Sequence, residues 1–359
     1  MLANLALFVF GLILLVVGAE ALVRGASRLA LSFGVSPLVV GLTVVAFGTS
    51  APEMAVSAGA ALQGQPDLAI GNVVGSNIAN VLLILGMSAL ITPLVVNVQV
   101  IRQEVPIMIG ASLLLIALAW DGELGRIESA AMLLLVVLYT GFLIRQSRRA
   151  TAAARAEFAD AMPSATSRWD QRPGMQILLV VVGLALLVLG AQWLVDAAVA
   201  FARALGVSDL VIGLTVVAVG TSLPEFATSI LAAIRGERDI AVGNVVGSNI
   251  FNILAVLGVT GLVSSAGLPV SETALRFDLW VMLAVAIACL PVFISGREIA
   301  RWEGAVFLGY YLGYTALLVL AAQQHPALPT FKLAMLVFVL PLTLLALAVS
   351  LHRHQRSAP

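Results

Sequence analysis

Charged residues are scarce in this chain. Only 11% of its 359 residues are Asp, Glu, Lys or Arg, and 61% are hydrophobic, whereas about 25% of a typical soluble chain is charged. Nineteen basic residues balance nineteen acidic ones, so the formal net charge is zero. A water-soluble protein needs more polar side chains to cover its surface. The composition therefore excludes a soluble enzyme and a disordered chain, and the lack of a basic stripe excludes a nucleic-acid binder.

Cysteine and histidine are also nearly absent. The single cysteine, Cys289, has no partner for an internal disulfide. The three histidines, His325, His352 and His354, stand outside any motif. Zinc, haem and iron–sulfur sites therefore lack ligands, and we expect no cofactor.

Long hydrophobic runs are what the chain has instead. A helix needs about 20 mainly apolar residues to cross a bilayer. The N-terminal run has no basic region before it and is longer than the apolar part of a signal peptide, so it is predicted to be a first span. The prediction is an all-α polytopic membrane protein with eleven spans, at 3–23, 37–62, 68–91, 104–120, 127–145, 175–196, 209–233, 240–263, 275–295, 302–322 and 330–351.

The basic residues predict the orientation. With the N-terminus outside, 15 of the 19 Lys and Arg residues fall on the inner face, and the opposite orientation reverses that ratio. Basic residues favour the cytoplasmic side of a membrane. We therefore expect the polar loop at 146–173 and the C-terminal tail to be cytoplasmic.

An internal repeat organises the sequence. Residues 41–90 and 213–262 align without a gap at an offset of 172, with about 31 of the 50 positions identical. Five spans per repeat is an odd number, so the second copy must enter the membrane the other way up. Transporters built from such inverted repeats bind their substrates near the membrane midplane. The predicted units are a first repeat at 1–145, the loop at 146–173, a second repeat at 174–322, and an extra helix and tail at 323–359.

The most similar stretches of the two repeats place carboxylates at membrane depth. Glu53 follows Gly48-Thr49-Ser50-Ala51-Pro52, and Glu225 follows Gly220-Thr221-Ser222-Leu223-Pro224. A charge at the bilayer centre costs at least ~2.5–3.5 kcal/mol, and two facing carboxylates repel each other. A bound cation would relieve both costs. The alternative is that each glutamate is protonated and donates a structural hydrogen bond.

Neutral oxygen ligands accompany these carboxylates. Pro52 and Pro224 have no backbone N–H, so in each helix the carbonyl four residues earlier loses its hydrogen bond. Backbone interrupted in this way is tolerated at membrane depth only where it faces protein or water. Ser76 and Asn80, like Ser248 and Asn252, lie four residues apart and so share one helix face. Hard oxygen ligands of this kind suit Ca²⁺ and Na⁺. These side chains could instead join helices by hydrogen bonds, the role we expect for Asn72, Asn77, Asn244 and Asn249.

The paired GTS-x-PE and GN-x-x-GSNI-x-N motifs resemble the α-repeats of the cation/Ca²⁺ exchanger superfamily, and the pattern is similar to that of prokaryotic sodium/calcium exchangers. The resemblance covers about ten spans. It implies a ten-helix core in which spans 2, 3, 7 and 8 enclose the cation sites and spans 1 and 6 slide past them. It also implies a location in the inner membrane of a prokaryote. It assigns no role to the eleventh helix.

The same resemblance implies a set of ligands. Glu53 and Glu225 would bind Ca²⁺ and Na⁺ in competition, with the carbonyls of Thr49 and Thr221 as Ca²⁺ ligands. Asn80 and Asn252 would line the centre. Some relatives, including potassium-dependent ones, have aspartate in place of Asn252, so the amide here weakens the case for K⁺ co-transport. The Na⁺ ligands implied are Ser50, Ser76, Ser222, Ser248 and the carbonyls of Ala46 and Ala218.

The function expected from these observations is secondary active exchange of Ca²⁺ for Na⁺ by alternating access. The alternatives are a H⁺/divalent-cation antiporter using the same glutamates and, less favoured by the inverted repeats, a cation channel. No nucleophile–base pair lies in the spans, which argues against an intramembrane enzyme. The expected partners are the bilayer, Ca²⁺ and Na⁺. The sequence indicates no protein partner, and it is compatible with a monomer.

Overall fold

The structure is a computed structural model that describes residues 2–148, 172–205, 218–265, 267–343 and 345. Eight described helices are long and apolar enough to cross a bilayer, and a bent pair makes a ninth. Their outward faces expose apolar side chains such as Phe10, Ile13 and Leu134, which lipid would cover. The chain is an integral membrane protein, as predicted.

The helices follow the predicted order. The bounds are α1 (Leu2–Phe33), α2a (Pro37–Thr49), α2b (Ala51–Leu62), α3 (Pro66–Ile91), α4 (Val100–Leu118), α5 (Arg126–Arg148), α6 (Pro173–Ala204), α7a (Ala218–Gly220), α7b (Leu223–Ile234), α8 (Arg238–Val263), α9 (Ala274–Ile294), α10 (Arg301–Ala322) and α11 (Leu328–Thr343). Most of the predicted loop (149–171), the start of the seventh predicted span (209–217) and the tail (346–359) lie outside the described residues.

Two predicted spans were too short. Helix α1 continues beyond residue 23 to Phe33, and α6 continues beyond residue 196 to Ala204. The predicted span covered only the apolar run, but a helix can continue past a membrane surface. At 1.5 Å per residue, 32 residues make a helix of about 48 Å. Helix α5 continues to Arg148, and α6 begins at Pro173.

Helices α1 and α6 form a close antiparallel pair. Glycines spaced seven residues apart remove the side chains between them, so that Gly11 lies against Gly190 and Gly18 against Gly183. A Cβ built on Gly18 would lie 2.9 Å from the carbonyl oxygen of Gly183. The pair therefore packs backbone against backbone.

Helices α3 and α8 form the centre of the molecule. The most hydrophobic 18-residue stretch of α8 is completely buried, and that of α3 is 72% buried. Both helices contain a π-helical turn, at Asn80–Leu85 and at Asn252–Val256. Such turns shift the register of a helix and are frequent at functional sites.

Four two-residue strands connect the halves of the chain at the ends of the helices. Strand β1 (Leu94–Val95) pairs antiparallel with β4 (Glu298–Ile299). Strand β2 (Glu123–Leu124) pairs antiparallel with β3 (Leu268–Pro269). Each pairing joins a segment of the first half to one of the second, which fixes the two halves relative to each other.

Candidate cation site

The two motif glutamates begin equivalent half-helices. Glu53 lies in the first turn of α2b and Glu225 in the first turn of α7b, and both are fully buried. The helix that contains Glu53 bends by 41° at Ser50, where Pro52 supplies no backbone N–H. The free N–H groups of a helix start favour a negative charge. The break therefore places each carboxylate where a helix N-terminus stabilises its charged form.

Serines connect the two carboxylates crosswise. The Ser50 hydroxyl donates to Glu225 Oε1 over 3.2 Å, and the Ser222 hydroxyl donates to Glu53 Oε1 over 3.1 Å. Each half of the chain thus provides the serine for the other half's glutamate. The reciprocity brings the predicted residues of both repeats into one cluster.

The serines of α3 and α8 join this cluster in different ways. Ser76 lies 3.4 Å from Glu53 Oε1 and 3.1 Å from the hydroxyl oxygen of Ser222. Its counterpart Ser248 lies 3.5 Å from the hydroxyl of Thr49. The two halves of the site are therefore related but not identical.

Four buried oxygens in this region have no hydrogen-bond partner among the described residues. They come from two symmetry-related pairs of side chains. The atoms are Glu53 Oε2, Glu225 Oε2, Asn80 Oδ1 and Asn252 Oδ1. A buried polar atom without a partner is costly, so four acceptors of this kind fit a bound cation. Among the described residues, no three His, Cys, Asp or Glu side chains lie close enough together to bind one metal ion. A cation here would therefore need neutral oxygens as well.

The threonines use their hydroxyls to hold the two halves together. Thr49 donates to Asn244 Oδ1 over 3.1 Å, and Thr221 donates to Asn72 Oδ1 over 3.2 Å. Ala46 is buried in α2a, and its carbonyl accepts the backbone N–H of Ser50. Ala218 opens the described part of α7a, but its side chain lies outside the described residues.

The asparagines Asn72 and Asn244 brace the glutamate backbones. Asn72 donates to the Glu53 carbonyl and to Ser57, and Asn244 donates to the Glu225 carbonyl and to Ser229. These contacts agree with the structural role expected from the sequence.

A family model for the sodium/calcium exchanger protein matches residues 3–145 and 175–320. The chain belongs to the sodium/calcium exchanger family. Members of this family are transporters, and the two matched segments contain all the residues of the cluster.

Individual relatives of this exchanger match over nearly their whole length. It is 42% identical to "Putative antiporter CaxA" of Alkalimonas amylolytica, over 86% of this chain and 96% of the relative. It is 36% identical to "Sodium/calcium exchanger MaX1" of Methanosarcina acetivorans, over 88% of this chain and 98% of the relative. A structure of the sodium-calcium exchanger NCX_Mj, soaked with Na⁺ and Ca²⁺, superimposes with a TM-score of 0.73 at 33% identity and covers 87% of this chain and 97% of NCX_Mj.

The exchanger is asymmetric around its cluster. Helix α1 packs against α7b, and Glu20 forms a 2.7 Å ion pair with Arg235 there. Within the described residues, α6 makes no comparable packing against α2b. A cleft of about 690 Å³, lined almost entirely by apolar residues, lies between α6 and α2 instead and reaches Gly48, against which Leu184 of α6 packs, and Ala51. The α1 side of the cluster is therefore closely packed and the α6 side more loosely packed, while Thr49, Ser50 and Glu53 themselves are buried.

A further buried carboxylate, outside the cluster, was missed by the sequence analysis. Glu104 in α4 is fully buried, and it accepts hydrogen bonds from Tyr139 at 2.7 Å, Gln99 at 2.9 Å and Gln103 at 2.7 Å. It appeared to be only the first residue of a span. Glu104 and its three hydrogen-bond partners lie outside the repeated motifs. Two glutamines near a glutamate in the sequence are too weak a signal to predict such a cluster.

Proposed function

We propose that this protein is an antiporter that exchanges Ca²⁺ for Na⁺ across the membrane by alternating access. The observation that supports this most is the set of four buried, unpartnered oxygens on Glu53, Glu225, Asn80 and Asn252. Two ionised carboxylates give the site about two negative charges. One Ca²⁺ or two Na⁺ would neutralise these charges. Without a cation, each buried carboxylate would keep a desolvation cost of several kcal/mol.

Shared ligands explain why exchange would be coupled. Ca²⁺ would take the two glutamates and the carbonyls of Thr49 and Thr221. Na⁺ would take the same glutamates, with Asn80 and Asn252 lining the centre. The further Na⁺ ligands are Ser50, Ser76, Ser222, Ser248 and the carbonyls of Ala46 and Ala218. Because both ions need the glutamates, they cannot bind together, and the site must be refilled before it turns over.

The α1–α6 pair would provide alternating access. Its glycine contacts allow it to move as one body, and the present arrangement covers one side of the site with α1 while a cleft lies along α6. Sliding the pair would open the covered side and close the other. The two repeats at 1–145 and 174–322, inverted relative to each other, would make the two end states alike.

The basic residues support a sidedness for this cycle. We place the N-terminus outside the inner membrane of a prokaryote, with the 146–173 loop and the C-terminal tail in the cytoplasm. The side covered by α1 is then cytoplasmic, and the more loosely packed side along α6 faces outward.

Ion-substituted flux tests the proposal. Purified protein is reconstituted in proteoliposomes, and ⁴⁵Ca²⁺ uptake is measured with an outward gradient of Na⁺, H⁺ or K⁺ alone. We expect uptake with the Na⁺ gradient and none with the H⁺ or K⁺ gradient. Uptake driven by a pH gradient without Na⁺ would replace Na⁺ coupling with proton antiport. Uptake that needs no counter-ion gradient and does not saturate would contradict exchange and indicate a channel.

A further inference from the structure

We propose that Asn77 and Asn249 are positioning residues that turn the amide oxygens of Asn80 and Asn252 into the cation site. The proposal rests on the function proposed above and adds a requirement to it. A cation site must present oxygens and no N–H groups. A side-chain amide has one end of each kind, so something must fix which end faces the ion.

The hydrogen bonds around the central amides fix that choice. The Asn80 Nδ2 donates to Asn249 Oδ1 over 3.0 Å, and the Asn252 Nδ2 donates to Asn77 Oδ1 over 3.1 Å. The nitrogen end of each central amide is therefore held by an acceptor from the opposite helix. The oxygen ends, Asn80 Oδ1 and Asn252 Oδ1, are the ones left buried and without a partner.

The two positioning amides are themselves held in one orientation. Asn77 Nδ2 donates to the backbone carbonyl of Asn249 at 3.3 Å and lies 3.5 Å from Met282 Sδ. Asn249 Nδ2 donates to the backbone carbonyl of Asn77 at 3.4 Å and lies 3.4 Å from Met108 Sδ. Both hydrogens of each amide are thus used, so its oxygen must face the central asparagine of the other helix.

This arrangement explains why four asparagines lie where α3 meets α8. All four are buried, and simple packing would be satisfied by apolar residues of similar size. Asn80 and Asn252 would contact the ion, and Asn77 and Asn249 would fix the orientation of those two amides. A flipped central amide would instead place two N–H donors beside the cation.

Leucine and aspartate at Asn249 separate a positioning role from a packing role. Asn249→Leu keeps the volume but removes the acceptor for Asn80, whereas Asn249→Asp keeps an acceptor and introduces a buried charge. Positioning predicts a rise of about tenfold or more in the Ca²⁺ dissociation constant and KM for Asn249→Leu, with a smaller change in kcat. It predicts values within about threefold of the wild type for Asn249→Asp. Packing alone predicts the reverse order, because a buried charge is worse tolerated than leucine.

The readout is equilibrium ⁴⁵Ca²⁺ binding to the purified protein, together with exchange in proteoliposomes. Binding does not depend on the coupling ion, so failure of Na⁺ coupling and failure of the positioning role are distinguishable. The symmetric pair Asn77→Leu and Asn77→Asp repeats the test should a variant at Asn249 not fold. Thr260→Val is the matched control, since Thr260 is a buried residue of α8 whose hydroxyl donates to the Val256 carbonyl of the same helix. Wild-type Ca²⁺ binding in both leucine variants, or weaker binding in the aspartate than in the leucine variants, would overturn the proposal.

Discussion

The hydroxyl of Ser50 donates a hydrogen bond to the carboxylate of Glu225 over 3.2 Å, although 175 residues separate them in the chain. Ser50 lies at the break between α2a and α2b, and Glu225 lies in the first turn of α7b. The bond thus joins the broken helix of one repeat to the carboxylate of the other. A substitution of either residue should therefore affect ion binding at the whole site.

Removing the serine hydroxyls should weaken Na⁺ binding most. Ser222→Ala loses contacts to both Glu53 and Ser76, whereas Ser50→Ala loses one contact to Glu225. A hydrogen bond to a charged group contributes about 1.5–3 kcal/mol, or roughly ten- to 150-fold in binding. We expect at least about a tenfold rise in the half-saturating Na⁺ concentration, larger for Ser222→Ala, and a smaller change in the KM for Ca²⁺.

Sodium-dependent ⁴⁵Ca²⁺ efflux from proteoliposomes measures both constants. Ser112→Ala is the control, because Ser112 is buried in α4 and bonds within its own helix to the Met108 carbonyl. Equal effects on Na⁺ and Ca²⁺ would count against the assignment of the serines to Na⁺.

Adding a methyl group between α1 and α6 should separate the helices. A Cβ on Gly18 would lie 2.9 Å from the Gly183 carbonyl, and one on Gly183 would lie 2.6 Å from the Leu22 nitrogen. Overpacking of this kind costs about 1–3 kcal/mol, so Gly18→Ala and Gly183→Ala should lower the Tm and slow exchange.

The matched control is Gly141→Ala in α5, where a Cβ would have no neighbour within 4 Å among the described residues. Because alanine favours a helix over glycine, this variant should keep or raise the Tm. Tryptophan fluorescence during heating gives the Tm of each variant. An unchanged Tm in Gly18→Ala would show that the pair tolerates separation.

Breaking the ion pair between Glu20 and Arg235 should loosen the covered side of the site. At the offset of 172, Gln192 corresponds to Glu20, and Gln63 corresponds to Arg235. The substitution Arg235→Gln therefore makes the two halves more alike. Exposed pairs contribute at most about 1 kcal/mol, which allows up to about a fivefold shift between states. Amide hydrogen exchange in Leu223–Ile234, measured by mass spectrometry, should therefore become faster.

The double change Glu20→Arg with Arg235→Glu should restore slow exchange in that segment. Arg276→Gln provides the control, since its partner is Glu272, four residues earlier in the chain, and not a residue of α1. Slow exchange retained in Arg235→Gln would mean that apolar packing of α1 holds this side closed without the ion pair.

The duplicated motifs made much of the cluster predictable. Glu53 and Glu225 stand out because a carboxylate inside an apolar run needs a reason, and the fixed offset of 172 gives each a counterpart. Both lie in the first turns of equivalent half-helices. Their reciprocal bonds to Ser222 and Ser50 were not predictable, since a repeat shows which residues correspond but not which ones touch.

Other features depend on packing that no local pattern reveals. The predicted first span was too short because the apolar run ends at residue 23, although the helix continues through Arg24 and Arg28 to Phe33. The environment of Glu104 depends on Tyr139 of α5, which donates to it from 35 residues further along the chain. The orientation of the central amides likewise follows from contacts between α3 and α8.

The most direct test of the central claim is ⁴⁵Ca²⁺ uptake driven by an outward Na⁺ gradient in proteoliposomes containing Glu53→Gln or Glu225→Gln. Each change keeps the side-chain shape but removes one of the two charges that would hold the cations. Glu104→Gln is the matched control, because Glu104 is an equally buried membrane glutamate outside the cluster. We predict that uptake is lost in both cluster variants and retained in Glu104→Gln. Wild-type uptake in either Glu53→Gln or Glu225→Gln would contradict the account.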